Sequence, residues 1–130
     1  MELLKKLAKL GRGSTRDVGA AAEDRALQYL QAAGLCLLQR NYRTPGRGGG
    51  EIDLVMQAGD GTLVFVEVRQ RGGSRHGGAA ASVSVVKQRR IVLAARHYLL
   101  RWRAPPTCRF DVVALEGDRI EWLQAAFDAA

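Results

Sequence analysis

Gly50-Glu51-Ile52-Asp53-Leu54 and Val66-Glu67-Val68-Arg69 are two apolar runs that each carry acid, and Gln57-Ala58-Gly59-Asp60-Gly61-Thr62 lies between them. The intervening stretch has the glycines and aspartate of a tight turn, so the runs read as the arms of an antiparallel β-hairpin. A turn centred on Asp60 sets Asp53 opposite Glu67 and Glu51 opposite Arg69. Directly opposed residues share a face of the sheet. Two carboxylates brought that close repel unless a proton or a cation lies between them, and a divalent metal is the usual solution. Glu51 and Arg69 could instead form a cross-strand ion pair unrelated to metal.

With 130 residues the chain can build one domain with a substantial core. An apolar fraction of 47% and a charged fraction of 25% exclude disorder of the whole chain. Twenty Lys and Arg against 13 Asp and Glu leave a net charge of +7, which points to a polyanionic partner, nucleic acid first. The charge is not evenly spread. Arg40, Arg43 and Arg47 precede the first acidic run, and Arg69, Arg71, Arg75 and His76 follow the second. Cys36 and Cys108 lie far apart with no CxxC pattern, which weighs against a disulfide framework and a zinc site and predicts a cytoplasmic protein. No apolar run reaches the roughly 18 residues of a membrane span, so integral membrane association is not expected.

Residues 1–16 read as a basic N-terminal extension and residues 17–130 as a single domain. The extension alternates leucine and lysine, a pattern that could touch a membrane surface. A helix is predicted from Asp17 to Ala33, closed by Gly34. Ala20, Ala22, Ala26, Leu27, Tyr29, Leu30 and Ala33 fill one half of its circumference, and Glu23 falls inside that half. A glutamate there needs an arginine or a metal to offset its burial. Leu35 to Leu38 reads as a short strand-like segment. Arg43 to Gly50 and Gly72 to Gly78 are glycine-rich loops, neither with the Gly-Lys-Ser/Thr of a phosphate-binding P-loop. Both are expected at the mouth of the acidic site, where His76 can serve as a surface residue, a phosphate contact or a general acid.

A second helix is predicted from Ser82 or Ser84 to about Trp102, with Ile91, Ala95, Tyr98 and Trp102 on its core face. Lys87, Arg90, His97 and Arg101 form a basic stripe interrupted by Ala94, a solvated face unless the acidic site lies beside it. After Pro105-Pro106 come a buried strand, Arg109 to Leu115, and a short last strand, Arg119 to Leu123. Asp111 is expected to cap or to pair with arginine at the strand edge. The order of elements predicts a mixed α/β sheet with helices packed on it.

Glu23 on a helix, Gly50-Glu51-Ile52-Asp53-Leu54, Phe65-Val66-Glu67-Val68-Arg69, Gly77-Gly78-Ala79-Ala80-Ala81-Ser82-Val83 and Lys87-Gln88 occur in one order along the chain. With Arg109-Phe110-Asp111-Val112-Val113 and Glu121-Trp122, this pattern resembles the YraN-like family of small proteins over residues 17 to 128. That family is similar in turn to the PD-(D/E)XK nucleases, archaeal Holliday-junction resolvases among them. The resemblance implies a restriction-endonuclease-like sheet flanked by helices, with Glu23, Asp53 and Glu67 as ligands for Mg2+ or Mn2+. It implies cleavage of branched or nicked DNA by a structure-selective endonuclease, and by analogy a homodimer. Arg43, Arg47, Arg71, Arg75, His76 and Lys87 would then contact the nucleic acid, mostly through phosphates.

One position departs from the superfamily pattern. Its catalytic lysine corresponds here to Arg69, which stays protonated and can orient water or stabilise charge but cannot act as a base. Lys87, on the following helix, is the residue that can migrate into the role. The departure leaves open a catalytically silent nucleic-acid-binding module with a vestigial acidic site, and the leucine-lysine N-terminus leaves open a small interaction or membrane-surface domain.

Overall fold

The computed structural model describes residues 15–71 and 83–129. The leucine-lysine extension up to residue 14 and the second glycine loop, with Arg75 and His76, lie outside the described residues. Helix α1 (Thr15–Ala32) leads into strand β1 (Cys36–Arg43), followed by β2 (Glu51–Gln57), β3 (Leu63–Gln70), α2 (Val85–Leu99), β4 (Cys108–Glu116) and β5 (Arg119–Phe127). The five strands form one sheet in the order β1-β2-β3-β4-β5. Pairing is antiparallel except between β3 and β4, where α2 carries the chain across to a parallel neighbour. The mixed sheet agrees with the expectation, and the strands are longer than the sequence suggested. β1 continues through Arg43 because Gln39, Arg40 and Asn41 occupy an edge strand, where polar residues stay at least partly exposed.

The helices lie on opposite faces of the sheet. Ala22, Ala26 and Leu30 of α1 pack with Leu54, Met56, Val64, Val66, Val113 and Leu115. On the other face Ile91, Ala94, Ala95 and Tyr98 of α2 pack with Ile52, Val55, Leu63, Phe65, Phe110 and Val112. Each fully buried large side chain contributes about 1.5–3 kcal/mol, so both helices are anchored by their apolar faces rather than by helix propensity. Gly34, with φ 102°, closes α1, and the Ser84 side chain accepts from the Lys87 backbone N–H to cap α2. Trp102 is a packing residue, its ring 5.7 Å from that of Tyr98.

The loop joining β1 to β2 is tied to both the sheet and α2. Thr44 N donates to Gly50 O at 3.0 Å, and Gly50 N donates to Thr44 Oγ1 at 2.7 Å. Arg90 on α2 donates through Nε and Nη2 to Gly49 O, both at 3.3 Å. Gly50 is buried against the helix so tightly that a Cβ there would lie 1.9 Å from Arg90 O and 2.9 Å from Ala94 N. Gly50→Ala is therefore expected to destabilise the protein by about 2–3 kcal/mol in urea denaturation, because backbone rather than a flexible side chain must move. Gly59→Ala, where nothing lies within 4 Å, should stay within about 0.5 kcal/mol of the parent.

The hairpin register is the expected one over its inner half: Leu54 opposes Val66, Val55 opposes Phe65, Met56 opposes Val64 and Gln57 opposes Leu63. The ladder then stops one residue short of the acidic pair. The expected Glu51–Arg69 pair is not formed. Glu51 instead opposes Arg43 on β1, and their side chains meet at 3.2 Å. The reason is that β1 borders β2 on its other side and captures Glu51, while β2 and β3 part beyond Leu54.

Candidate acidic site at the hairpin fork

The fork between β2 and β3 arises from a break in the pleat. Ile52 and Leu54 are two residues apart and should share a face, yet Ile52 belongs to the α2-side core and Leu54 to the α1-side core. On the neighbouring strand Tyr42 likewise faces the α2 core, whereas Arg40 meets Glu23 and Asp24 of α1. Between these rungs Asn41 takes φ 52°, a left-handed conformation that asparagine tolerates better than most residues. The phase therefore changes at Asp53, whose carboxylate turns into the gap between the strands. There Asp53 Oδ2 accepts the Val68 backbone N–H at 2.8 Å, replacing the next rung of the ladder.

Glu67 follows Val66 on β3 and projects toward the α2 side of the sheet. Its exposure is 2% and that of Asp53 is 8%, so two carboxylates share a nearly dry fork. Glu67 Oε1 receives Lys87 Nζ at 2.9 Å and Arg69 Nη1 at 3.7 Å. Glu67 Oε2 is buried with no hydrogen-bond donor on it among the described residues. Burial, with the Glu67 charge second, pushes the Asp53 carboxyl up to about 7, while the Val68 N–H and Lys87 oppose the shift.

Glu23 approaches the fork from α1. Burial raises its pKa first and the Asp53 charge second, whereas Arg40 and a hydrogen bond with Asn41 lower it. Arg40 binds it at 3.5 Å and holds Asp24 more closely, at 2.7 Å. Of the two alternatives for a glutamate in the apolar half of this helix, the arginine partner is the one present. Glu23 has an arginine partner and also feels the Asp53 charge. Among the described residues no three Asp, Glu, His or Cys side chains gather as a preformed metal cage. Asp53 and Glu67 form the nucleus, and Glu23 stands at its edge.

The raised pKa has a definite sign for stability. A carboxyl that titrates near 7 when folded and near 3.8 when unfolded favours folding most below the lower value. Its contribution is lost as pH rises toward 7. Asp53→Asn should therefore remove a decline in thermal stability between about pH 4 and 7, read by differential scanning calorimetry in the presence of chelator. A divalent ion, if held there, would compete with the same proton, so its affinity would climb with pH and level off above about 7.

The other expected contacts scatter around the fork. Arg43 is exposed and paired with Glu51, and Arg47 is exposed on the loop that leans on α2. Arg71 lines a cleft of about 170 Å3 with Glu116, Arg119 and Glu121. Lys87 binds Glu67, and with Glu51 and Arg90 it also lines a cleft of about 120 Å3 on the α2 side.

Asp111 is fully buried and saturated by its own neighbours. Arg109 Nε donates to both its oxygens at 3.1 and 3.2 Å, Trp122 Nε1 donates at 2.9 Å, and the Ala125 N–H donates at 2.9 Å. The β4–β5 ladder is irregular between Phe110 and Val112, and Ala125 has φ 50°. Asp111 stitches that irregularity together, as its place at a strand edge beside an arginine led us to expect.

The family described as uncharacterised protein family UPF0102 matches residues 22–115. A UPF0102 protein of Acidovorax sp. (strain JS42) is 69% identical over 117 residues, covering 90% of this chain and 89% of the relative. One from Albidiferax ferrireducens is 71% identical over 117 residues, covering 90% and 91%. One from Polaromonas sp. (strain JS666 / ATCC BAA-500) is 59% identical over 132 residues, covering 95% and 89%. The solved structure titled "Crystal structure of SSO0001" overlaps 96% of this chain and 61% of its own at a TM-score of 0.47 and 10% identity, too slight a likeness to define a shared fold. The pattern from Glu23 through the forked hairpin to Lys87 falls inside the matched residues, and with relatives this similar along nearly the whole chain the protein belongs to the UPF0102, or YraN-like, family.

Proposed function

We propose that the chain is a metal-dependent, structure-selective DNA endonuclease of PD-(D/E)XK type, acting on branched or nicked DNA in recombination or repair. The observation that carries this reading is the fork itself: two carboxylates share one buried gap, one has its pKa pushed up to about 7, and one oxygen of the other is buried with no hydrogen-bond donor on it among the described residues. Such a pair is costly as it stands. An all-oxygen donor set suits a hard cation, so the residues fit Mg2+ or Mn2+, with Asp53 and Glu67 as ligands and Glu23 supporting them from α1. A bound ion would supply a water of lowered pKa and polarise the scissile phosphate.

The remaining roles fall to residues whose chemistry suits them. Lys87 reaches Glu67 from α2 at 2.9 Å, closer than Arg69 at 3.7 Å. Lysine is the superfamily's usual residue beside the acidic pair, and its ammonium can hold a nucleophilic water or a non-bridging phosphate oxygen. Arg69 adds fixed positive charge where the phosphate becomes more negative. Arg43, Arg47, Arg71, Arg75 and His76 would bind backbone phosphates with little sequence readout, and the net charge of +7 favours that encounter.

A second reading rests on the same ion pairs. Lys87 and Arg69 compensate Glu67, and Arg40 compensates Glu23, so the charges are partly balanced without any metal. On that reading the chain binds nucleic acid and cuts nothing. Purified protein incubated with junction, flap, nicked and duplex DNA in Mg2+, Mn2+ or chelator separates the two. The nuclease reading expects cleavage of at least one branched or nicked substrate that chelator abolishes, and binding without cleavage on every substrate would leave the silent module.

A further inference from the structure

We infer that the C-terminal end of α2 carries a second phosphate-binding site, built from His97 and Arg101 on Tyr42 and Tyr98, which holds the nucleic-acid backbone some distance from the acidic fork. The inference rests on the reading of the chain as a nucleic-acid enzyme and adds where the bound strand runs. Lys87, Arg90, Ala94, His97 and Arg101 recur at alternating spacings of three and four, so they line one side of α2 and its final turn. At 1.5 Å per residue, the stripe extends about 15 Å from Lys87 to His97 and about 20 Å to Arg101.

Its near end is the fork, where Lys87 meets Glu67. At its middle, Ala94 is fully buried because Gly50 of the glycine loop lies against the helix there, and Arg47 of the same loop is exposed. At the far end a guanidinium and an imidazole stand four residues apart, and among the described residues neither has a carboxylate partner.

This far end is organised rather than merely charged. The Arg101 guanidinium sits 3.9 Å from the centroid of the Tyr98 ring and 5.3 Å from that of Tyr42. Stacking fixes the plane of a guanidinium while leaving its N–H edge available to an anion. The Tyr42 hydroxyl is hydrogen-bonded to His97 Nδ1. With that hydroxyl donating, the ring hydrogen sits on Nε2 and is available to an acceptor outside the protein. Both tyrosines are buried and His97 and Arg101 are exposed, so the rings form a base that aims two donors outward.

Two preset donors without an internal anion match phosphate oxygens. The run of cations back to the fork makes a strand already seated there the fitting occupant. At 3.4 Å of rise per base pair, 20 Å corresponds to about six base pairs, so one arm of a branched substrate would need roughly that length to reach the site.

The test measures affinity and its salt dependence for junctions whose arms are four or twelve base pairs long, using the full chain, Arg101→Gln, Arg101→Lys, and His97→Gln with Arg101→Gln. The full chain should bind long arms at least tenfold more tightly than short ones. The double variant should lose most of that advantage and about 0.9 units of log-log salt slope on long arms, the share of the one charge, Arg101, that it removes. Arg101→Lys should recover part of the loss suffered by Arg101→Gln. Arg101 is exposed, so its single variants report binding even if the double variant is less stable.

Arg101→Gln and the double variant matching the full chain on long arms would overturn the site while leaving the nuclease reading intact. Failure of the unmodified protein to bind any of these DNAs would remove that reading and this inference together. Loss of binding to anionic phospholipid vesicles, with DNA binding unchanged, would assign the two donors to a membrane surface and also overturn the inference.

Discussion

Asp53→Asn is expected to lower metal-dependent cleavage of branched DNA by about a thousandfold or more while leaving DNA affinity unchanged or higher. Two physical effects combine. Asparagine keeps the side-chain oxygen that can accept the Val68 N–H but lacks the negative charge that would make the residue a strong ligand for a hard cation. Removing that charge also relieves the burial cost and, second to it, the repulsion from Glu67 that together push the Asp53 carboxyl up to about 7. The variant should fold at least as well as the parent at neutral pH, and the phosphates should meet one negative charge fewer. Loss of cleavage could then not be blamed on unfolding. Equal cleavage by parent and variant would mean that the activity comes from a contaminant and that the enzyme assignment fails.

Lys87→Met should be the next most damaging change, lowering the cleavage rate by about a hundredfold with only a small loss of DNA affinity. The lysine ammonium lies 2.9 Å from Glu67 Oε1 and is anchored on α2, whereas the Arg69 guanidinium approaches the same oxygen only to 3.7 Å. If the positive charge beside the acidic pair is needed in the transition state, supplying lysine from β3 should restore it. Arg69→Lys in the Lys87→Met background is therefore expected to recover at least tenfold of the lost rate, measured as kcat on a saturating substrate. Arg69→Lys alone should match or exceed the parent. A Lys87→Met protein with parental kcat and a raised KM would assign Lys87 to phosphate binding alone.

The sequence made the hairpin, the two helices and the mixed sheet legible because each depends on local pattern. The Asp60 turn sets the register from Leu54 to Gln57, Gly34 ends α1, and Ser84 caps α2. What escaped it depends on neighbours distant in sequence. Glu51 was assigned to Arg69 across the hairpin, but β1 extends far enough to bring Arg43 opposite it. The full length of β1 was hidden because an edge strand tolerates Gln39, Arg40 and Asn41 without an apolar alternation.

The acidic pair itself was visible as charge inside apolar runs, but the fork that separates β2 from β3 was not. Its one sequence signal is Asn41, a residue able to take the positive φ that the break in the pleat requires. The ion pair between Lys87 and Glu67 needed both a parallel crossover and the helix phase, and only the superfamily resemblance hinted at it. The Tyr42–His97 contact joins residues 55 apart and had no local signature.

On the proposed function Asp53 and Glu67 hold a divalent ion. Crystals soaked in Mn2+ and recorded above the manganese absorption edge test it most directly. One anomalous peak is expected between residues 53 and 67, at about 2.0–2.2 Å from a carboxylate oxygen of each, and absent from Asp53→Asn crystals treated identically. A fork with no anomalous density, with the Lys87 ammonium still seated on Glu67 at saturating Mn2+ and pH above 7, would contradict it.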